Sequence, residues 1–509
     1  MCTDVRCSFV LVFVIIQKDM GRDRKFSREE LIELLDATMG KTLGEVDVNH
    51  VFDKTIGHPK ITGIAGDVVE QSILGFDPDN LAEPDIDVDG ELVEVKTTGI
   101  RKSRTDSSVL EAKEPMSITA VSPNTIVTET FYESKFWHKI RKMLLVYYEY
   151  ASYETVTAGE YADFFLRGYD IHEFSKYDRR ILKSDWELVQ KFLVFLREQP
   201  DFEEIEYARL SHELRDKLLY IDTAPKWPNP PRFRLKRSVV TAIVQEHFSH
   251  HPFEHALEEI SGMASLDAKC RALTVQYKDK TMQELANLFG INITFDRNGN
   301  PNKAIAEKIV VKMFGGASEK INSLDLFAKA GIMGKTIVVT NKGGRTEDTK
   351  LFTIDFDNWL SDDISFEDSQ IYDYFANHQI LCIQFKETID GDLLQSKFIG
   401  FKRLSFGEDF INTYVKRIWS LVRDTIKSGD LKETICRRND GSIIYNPSGT
   451  IKTEINFPKS ADRMKLFLRG TGQDSTKKTL NLCGIQMYQQ QVWIRGTDIV
   501  ELLESKDNL

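Results

Sequence analysis

The sequence predicts a mixed α/β protein in which two homologous domains follow one another along the chain. Three observations support this fold class: an internal repeat at an offset of about 240 residues, amphipathic helices that end in glycine, and an alternating hairpin pattern in the first copy. The chain has 509 residues, of which 41 % are hydrophobic and 28 % are charged. A chain of this length folds into roughly two to four domains, each with its own core.

The composition excludes several classes of protein. With 31 Phe, 16 Tyr and 6 Trp, the chain has too many aromatic residues to be disordered, and its 30 Gly and 14 Pro show no collagen-like period. The formal net charge of -11 disfavours a protein that coats nucleic acid non-specifically, but it permits a site-specific DNA enzyme with a local basic groove. The 6 Cys form no Cys-x-x-Cys pair, which is typical of a reducing compartment and not of a zinc site or a disulfide framework.

The beginning of the chain differs from the rest. It contains the apolar run Phe9–Ile16, which is shorter than the roughly 20 residues that span a bilayer and is not followed by a small-residue cleavage site. A polar, amphipathic sequence begins at Met20. We therefore predict that residues 1–20 are a non-native or disordered extension. No other run approaches membrane-spanning length, so we expect a cytoplasmic protein.

The internal repeat relates Lys41–Gly75 to Lys280–Gly315. Both segments contain a short helical start, a polar loop and an amphipathic helix closed by glycine. The repeat is too long for a solenoid and indicates two whole domains, which we place at 21–247 and 255–509. The proline-rich segment Trp227–Pro231 has the composition of a linker. We count it as a loop of the first domain because the sequence after it has a counterpart in the second copy.

A pair of predicted strands in the first copy carries a group of charged residues. Polarity alternates after Pro84 on both sides of Asp89-Gly90, which is a strong signal for a hairpin turn. Glu94 and Lys96 are two residues apart and point to the same face of the second strand, and Asp85 lies across the hairpin. Two carboxylates and one ammonium group in this arrangement suit metal-dependent hydrolysis of a phosphodiester.

Four short segments in the first copy follow one another in a fixed order. They are Gly63-x-x-Gly66-x-x-x-Glu70, Pro84-Asp85, Glu94-x-Lys96 and Ser134-Lys-Phe-Trp-His138-Lys139. Together they resemble the MutH family of PD-(D/E)xK endonucleases, which includes the mismatch-repair nicking enzyme and type II restriction enzymes that cut at GATC. The resemblance runs from about Lys41 to the C-terminus, and the two-domain length is similar to the restriction branch. It implies tandem restriction-endonuclease-like domains, each with a central mixed β-sheet flanked by helices.

The resemblance also implies the residues of an active site. Asp85 and Glu94 would hold Mg²⁺, and Lys96 would position the attacking water. Glu70 would assist the metal or the water, and Lys139 would stabilise the phosphate.

One departure from the family pattern concerns the hairpin. The interval between Asp85 and Glu94 is longer than is usual in the family, which leaves Asp87 as an alternative metal ligand. We favour Asp85 because it follows a proline and keeps the hairpin symmetric.

The second copy lacks most of these polar residues. Aligned on the repeat, Glu70 falls opposite Val310, Glu94 opposite Met333, Lys139 opposite Phe375, and Asp85 opposite Asp325. Because Mg²⁺ needs oxygen ligands, valine and methionine cannot replace these carboxylates. We therefore predict a catalytic domain at 21–247 and a catalytically inactive, DNA-binding or regulatory domain at 255–509.

Further residues are predicted to contact DNA. In the first domain they are Lys135, His138, Ser211, Arg215 and Lys236, and in the second domain they are Arg469, Gln473 and Arg495. The resemblance implies that an arginine-bearing loop and a later aromatic strand read the DNA, and Arg469-Gly-Thr-Gly472 has this pattern. We take 210–216 as the corresponding loop of the first domain, with Ser211 at the position of Arg469. Arginine can pair with guanine, and glutamine with adenine, in the major groove.

The leading hypothesis is a type II restriction endonuclease that makes Mg²⁺-dependent double-strand cuts at unmodified GATC and leaves 5′-phosphate ends. Its substrate would be double-stranded DNA. Because each chain has one cutting centre, two chains would meet on the DNA or two nicks would follow one another, and symmetry favours the pairing of two chains. A DNA methyltransferase is implied as a functional partner, since an unprotected genome would be cut. The alternatives are a methyl-directed strand-nicking repair endonuclease and a non-catalytic DNA-binding protein. A structural protein with scattered charges does not explain why only the second copy has lost them.

Overall fold

The computed structural model describes most of the chain. The described residues are 24–77, 83–103, 108–152, 156–224, 231–249, 253–342, 344, 347–362, 364–446, 449–472 and 478–509. The predicted extension at 1–20 and the predicted DNA contact Gln473 lie outside these ranges. No helix within them is long and apolar enough to cross a membrane.

The chain forms two compact units. Unit 1 contains the chain up to Phe253 together with Glu258–Met263 and Ala328–Ala330, and unit 2 contains Glu254–Leu257, Ala264–Phe327 and Gly331–Leu509. The chain first passes from unit 1 to unit 2 after Phe253, which lies between the predicted end of the first domain at 247 and the predicted start of the second at 255. Helices and sheets occur in both units, so the mixed α/β class is confirmed.

Unit 1 begins the strand numbering used below. Its strands are β1 (Lys25–Phe26), β2 (Ile86–Val88), β3 (Glu91–Lys102), β4 (Leu110–Ala112), β5 (Met116–Ala120), β6 (Met143–Glu149), β7 (Leu166–His172), β8 (Ile221–Asp222) and β9 (Arg232–Leu235). Its α-helices are Arg28–Asp36, Leu43–Val46, Ile64–Val68, Pro123–Ile126, Lys135–Ile140, Lys176–Arg197, Leu210–Glu213 and Arg237–Phe248. A π-helical turn, Val69–Ile73, continues the helix Ile64–Val68.

The main sheet of unit 1 is mixed. Its strand order is β1-β2-β3-β6-β7, and β4 pairs with β3 outside this path. β3 and β6 are parallel, whereas β2 and β3, and likewise β6 and β7, are antiparallel. A smaller antiparallel sheet has the order β5-β9-β8. The main sheet thus sets the β2–β3 hairpin beside β6, the strand that follows the helix Lys135–Ile140.

The predicted hairpin is present, and its turn has the expected geometry. Val88 pairs with Glu91 across the turn, and the two residues between them have positive φ angles, 52° for Asp89 and 86° for Gly90. Positive φ at both positions defines a type I′ turn, whose twist matches that of the strands. The glycine accommodates this conformation because it has no Cβ.

Apolar burial holds the helix Ile64–Val68 and its π turn against the sheet. The buried residues of this core include Ile64, Val68, Val69, Ile73, Val93, Val95, Leu144 and Val146. Each such side chain contributes about 1.5–3 kcal/mol by leaving water. Gly75 follows the π turn with a φ of 81°, as a C-terminal glycine does. This packing fixes the position of Glu70 relative to β3.

Unit 2 contains the remaining strands. They are β10 (Ile332–Val339), β11 (Thr349–Thr353), β12 (Gln379–Lys386), β13 (Lys397–Leu404), β14 (Glu433–Ile435), β15 (Thr453–Ile455), β16 (Leu466–Gly470), β17 (Leu480–Leu482), β18 (Ile485–Met487) and β19 (Gln490–Ile494). The remaining α-helices are Met263–Tyr277, Met282–Leu288, Ile305–Met313, Asp325–Ala330, Phe356–Leu360, Gln370–Asn377, Glu408–Phe410, Lys416–Lys427 and Gly496–Glu504.

The two units share two sheet patterns. In unit 2, β10 is parallel to β12 and β12 is antiparallel to β13, as β3, β6 and β7 are arranged in unit 1. The sheet β11-β19-β16 repeats the antiparallel order of β5-β9-β8. The repeated strand order agrees with the repeat that the sequence predicted.

The hairpin that carries Asp85 has no counterpart among the described residues of unit 2. The segment before β10 is the helix Asp325–Ala330, so Asp325 begins a helix and does not enter a strand. Its Oδ2 lies 3.1 Å from Nδ1 of His255. The sequence alignment of Asp85 with Asp325 therefore does not extend to the local structure.

Candidate active site

The carboxylate of Glu94 lies at the centre of the predicted site. Glu94 is on β3 between the core residues Val93 and Val95, and it is only 1 % exposed. Its Oε1 accepts hydrogen bonds from Lys96 Nζ at 2.5 Å and from Lys139 Nζ at 2.9 Å, and its Oε2 accepts one from Lys139 Nζ at 2.9 Å. Two ammonium groups thus offset the cost of burying this charge.

Local structure explains how Lys139 reaches this carboxylate. Lys139 is in the last turn of the helix Lys135–Ile140, whose N-terminus is capped by the Ser134 hydroxyl. The helix leads into β6, and the N–H of Glu94 donates to the carbonyl of Lys142 at 3.1 Å. The helix end and β3 are therefore neighbours. Sequence reasoning placed Lys139 in the site by resemblance, and the fold brings it there.

Asp85, the residue directly before β2, joins the same site. Its Oδ2 accepts a hydrogen bond from the N–H of Val95 at 2.8 Å, next to Glu94. Asp87 instead accepts from the N–H of Gly90 at 2.7 Å, within the hairpin turn. This geometry favours Asp85 over Asp87 as a metal ligand.

Glu70 approaches from the π-helical turn Val69–Ile73. The pKa of Glu70 is raised to about 7, chiefly by burial and then by the neighbouring Asp85, whereas Lys96 opposes the increase. Glu94 is also close enough to contribute to the increase. Single π turns within helices frequently occur at functional sites, and this one directs Glu70 toward the carboxylates of the hairpin.

The predicted site is thus a cluster of three carboxylates and two ammonium groups. Burial raises the pKa of Glu94 above its ordinary value, Lys96 and Lys139 oppose the increase, and Asp85 adds to it. Hard oxygen donors of this kind fit Mg²⁺, and a cation would relieve the repulsion between the carboxylates. Both oxygens of Glu94 are engaged by ammonium groups. Among the described residues, no group of three or more Asp, Glu, His or Cys side chains is close enough together to hold a metal ion without rearrangement.

We expect the metal-free protein to lose stability as the pH rises through about 7. The pKa of Glu70 is about 7 in the folded chain against 4.5 ordinarily, so the folded state binds this proton more tightly. The resulting stabilisation is complete below pH 4.5 and is lost as the pH rises through the folded-state pKa. It amounts to at most about 3 kcal/mol. Unfolding by urea in EDTA at several pH values measures it, and Glu70→Gln should flatten the dependence. An equally steep loss in the variant would refute the assignment to Glu70.

Two predicted DNA contacts lie on the helix that carries Lys139. Lys135 is exposed and His138 is half-buried. Both lower the pKa of Glu129, although burial raises it overall. Both side chains are accessible to solvent, so their contact with DNA stays a prediction that the structure permits.

Lys236 does not have the exposure that a DNA contact needs. It is 6 % exposed, and its Nζ donates to the carbonyl of Leu218 at 2.5 Å. The prediction that Lys236 binds DNA is therefore not supported. Lys236 comes directly before the helix Arg237–Phe248, and its hydrogen bond holds the segment that contains Leu218.

The assignment of Ser211 as the counterpart of Arg469 is wrong. Ser211 lies in the helix Leu210–Glu213, whereas Arg469 is on β16. In the matching three-stranded sheets, β9 of unit 1 corresponds to β19 of unit 2. Ile221 of β8 pairs with β9 as Leu466 of β16 pairs with β19, so β8, and not this helix, corresponds to β16. Counted along the strands, the position of Arg469 corresponds to Ala224, immediately before 225–230, which lies outside the described ranges.

Arg469 is held in place by its own unit. Its guanidinium group lies 5.1 Å from the ring centre of Phe467 and 4.8 Å from that of Trp493, and Nη2 donates to Asp348 at 2.6 Å. The side chain keeps 42 % of its surface exposed. Arg469 is therefore oriented and accessible, as a residue that reads DNA must be.

The other two predicted arginine contacts are partly engaged within the protein. Arg495 precedes the last helix and binds Asp498 with two hydrogen bonds, at 2.6 and 3.0 Å. Arg215 is half-buried.

Sequence reasoning missed Asp185. This residue is on the helix Lys176–Arg197 and is 1 % exposed, and its carboxylate accepts hydrogen bonds from the N–H groups of Leu219, Tyr220 and Ile221. It thereby fixes the chain that enters β8. The signal in the sequence is an aspartate on the apolar face of an amphipathic helix, four residues after Ile181.

In unit 2, apolar residues take the places of the polar cluster. Met333 is two residues before Lys335 on β10, as Glu94 is before Lys96 on β3. Ser369 caps the helix Gln370–Asn377 as Ser134 caps its helix. If the two capping serines are matched, Lys139 falls opposite Tyr374, since each lies five residues after its serine. The sequence alignment of Lys139 with Phe375 is therefore shifted by one residue.

Comparison with known proteins gives two findings. A family model described as the DNA mismatch repair enzyme MutH matches residues 74–185, a segment that includes Asp85, Glu94, Lys96 and Lys139 but not Glu70. The chain is also similar to the type II restriction enzyme Sau3AI of Staphylococcus aureus. The two are 23 % identical over 404 residues, which cover 73 % of this chain and 74 % of that enzyme.

Proposed function

Because the chain belongs to the MutH-like restriction endonuclease family, we propose that it makes Mg²⁺-dependent double-strand cuts in DNA at unmodified GATC and leaves 5′-phosphate ends. A MutH-like nuclease is supported by the family model, and the type II restriction class is supported by the similarity to Sau3AI. The observation that carries the proposal is the cluster around the buried Glu94, where Asp85, Lys96 and Lys139 converge. The GATC site rests on the resemblance of the sequence motifs to the family.

Asp85 and Glu94 are the residues that would hold Mg²⁺, with Glu70 beside them. When bound, the ion supplies positive charge that polarises the phosphodiester and acidifies the attacking water. The hairpin ties Asp85 to β3 next to Glu94, because the backbone N–H of Val95 donates to the Asp85 carboxylate. A rigid frame reduces the reorganisation needed for catalysis.

The two lysines have distinct positions in this frame. The side chain of Lys96 projects from the same face of β3 as that of Glu94. It is 21 % exposed, whereas the side chain of Lys139 is 12 % exposed. We assign the orientation of the water to Lys96 and the stabilisation of the phosphate to Lys139. Both ammonium groups neutralise Glu94 in the free protein, and both must turn toward the phosphate for these roles.

Unit 2 is proposed to be an inactive copy that binds DNA. Met333 and Val310 provide no oxygen ligand in place of Glu94 and Glu70, while Arg469 remains exposed and oriented. Since one chain then has one cutting centre, double-strand cleavage requires two chains on the DNA or two successive nicks. A methyltransferase that protects the same site is the expected functional partner.

We expect cleavage to depend strictly on a divalent cation. Unmethylated plasmid incubated with the protein and Mg²⁺ should give discrete fragments, and EDTA should suppress them completely. Sequencing of the fragment ends identifies the site and the end chemistry in the same experiment. Fragments that persist in EDTA would contradict the metal site, and ends outside GATC would overturn the proposed specificity.

The same experiment separates the remaining candidate functions. Nicked circles without linear product would favour a strand-nicking repair endonuclease. Intact plasmid that still binds the protein would favour a non-catalytic DNA-binding protein. The polar cluster of unit 1 argues against the second outcome, because a binding protein has no need to bury Glu94 between two ammonium groups.

A further inference from the structure

Unit 2 has lost the carboxylates of the catalytic frame but keeps its lysine. On parallel strands, Lys335 pairs with Cys382 as Lys96 pairs with Leu145. In unit 1, the lysine donates to Glu94 at 2.5 Å. In unit 2, the residue at that place is methionine, so the lysine has lost its acidic partner on the strand.

The remaining charges around Lys335 do not replace that partner. The pKa of Lys335 is lowered, first by burial and then by the neighbouring ammonium group of Lys350, whereas Glu307 opposes this. One oxygen of Glu307 is already used, because it accepts from the N–H of Ile321 at 3.1 Å. Among the described carboxylates, none forms an ion pair with Lys335 or Lys350. The half-buried Lys335 thus has the exposed Lys350 as a like charge in its neighbourhood, with too little negative charge to balance the two.

Such a site fits an anion and not a metal ion. Val310 and Met333 offer no oxygen ligand, so a cation cannot bind as it would at Glu94. An anion would relieve the repulsion between the lysines and satisfy their N–H groups. The corresponding position of unit 1 is the proposed cutting centre, where Lys96 lies beside the attacking water and the phosphate of the substrate, and the strand pairing is the same in both units.

We propose that Lys335 and Lys350 form a binding site for a backbone phosphate of duplex DNA, in the place where unit 1 has its cutting centre. The inference deepens the proposed function, since it assumes that unit 2 binds DNA. Val310 and Met333 stand where unit 1 has Glu70 and Glu94, so the site can hold a phosphate but lacks the metal ligands with which to hydrolyse it. It would set the register of unit 2 on the duplex without reading the sequence, because phosphate contacts position a protein and base contacts specify the site.

The test uses the full chain with Glu94→Gln, which removes cutting during the measurement. In this background we compare Lys335→Met and Lys350→Met by the salt dependence of the affinity for a duplex that contains GATC. Each phosphate contact contributes about 0.9 to the slope of log K against log salt. Each substitution should therefore lower the slope by about one. Lys303→Met is the matched control, because Lys303 is highly exposed and paired with Glu347, and it should leave the slope unchanged.

Two further measurements keep the result unambiguous. Lys335→Met removes a partly buried charge, so its unfolding temperature should be equal or higher, and Lys335→Arg should restore the slope. Unchanged slopes in the folded methionine variants would overturn the site, as would a parent chain that does not bind the duplex. Cleavage is read separately on the chain with Glu94 intact. If that chain does not cut but the slopes still fall, the phosphate site stands and the proposed nuclease function fails.

Discussion

Replacing Glu94 with glutamine is expected to abolish plasmid cleavage while DNA binding persists. Glutamine has nearly the same shape but cannot supply the charge of a metal ligand, and it leaves Lys96 and Lys139 without their shared carboxylate. Loss of a residue that acts with others as one catalytic unit reduces the rate on the order of a thousandfold or more. Single-turnover cleavage of a labelled duplex with saturating Mg²⁺ measures this rate.

Glu91→Gln provides the matched control. Glu91 is on the same strand, but its side chain is 64 % exposed and pairs with Lys142, so its substitution should change the cleavage rate little. The Glu94 variant also needs a thermal unfolding curve, because two ammonium groups remain where the carboxylate was. Cleavage near the parent rate by a folded Glu94→Gln chain would refute the proposed role of Glu94 in the active site. Loss of cleavage together with loss of the folded state would instead require the test to be repeated with Asp85→Asn.

Replacing Asp185 with alanine is expected to have the largest effect on the stability of unit 1. Its Oδ2 accepts from the N–H groups of Leu219, Tyr220 and Ile221 at 3.0, 2.7 and 3.2 Å, and the whole residue is buried. A buried donor left without a partner costs about 1–3 kcal/mol. Three such donors predict a loss of about 3 kcal/mol or more in the free energy of unfolding.

Urea unfolding followed by the fluorescence of Trp186 and its neighbours measures this loss. Glu187→Ala, on the exposed side of the same helix, should change the free energy by less than about 0.5 kcal/mol. Asp185→Asn keeps one acceptor oxygen and should lose less than the alanine variant. Equal stability of the alanine and parent chains would show that water satisfies these N–H groups. A stable Asp185→Ala chain with weakened DNA binding would show that the residue chiefly orders the chain that enters β8.

The hairpin and its charged residues were predictable from the sequence because they depend on local chemistry. Asp89-Gly90 accommodates the positive φ angles of the turn, and the period of two along β3 sets Glu94 and Lys96 on one face. Likewise, the glycine after the helical segment of each copy marked the end of that segment. Such features are determined by neighbours in the sequence and need no distant contact.

Other assignments failed because strand pairing is not local. Residues 210–216 carry a plausible polar segment, yet the sheet places Ile221, and not this segment, opposite the strand that corresponds to β19. Lys236 has the composition of a DNA contact, but packing buries it on the carbonyl of Leu218. A pattern of charges in the sequence does not show whether a given lysine is buried or exposed in the folded protein.

The sequence by itself determined the class of the protein: a tandem repeat, a hairpin with Asp85, Glu94 and Lys96, and a second copy without the acidic ligands. Only the tertiary structure decided that Lys139 bonds to Glu94 and that Glu70 approaches the same carboxylates. The physical reason is that these contacts join residues far apart in the chain, through the parallel pairing of β3 with β6 and the packing of a helix on that sheet. Burial at this junction also sets the pKa values, and no linear pattern encodes it.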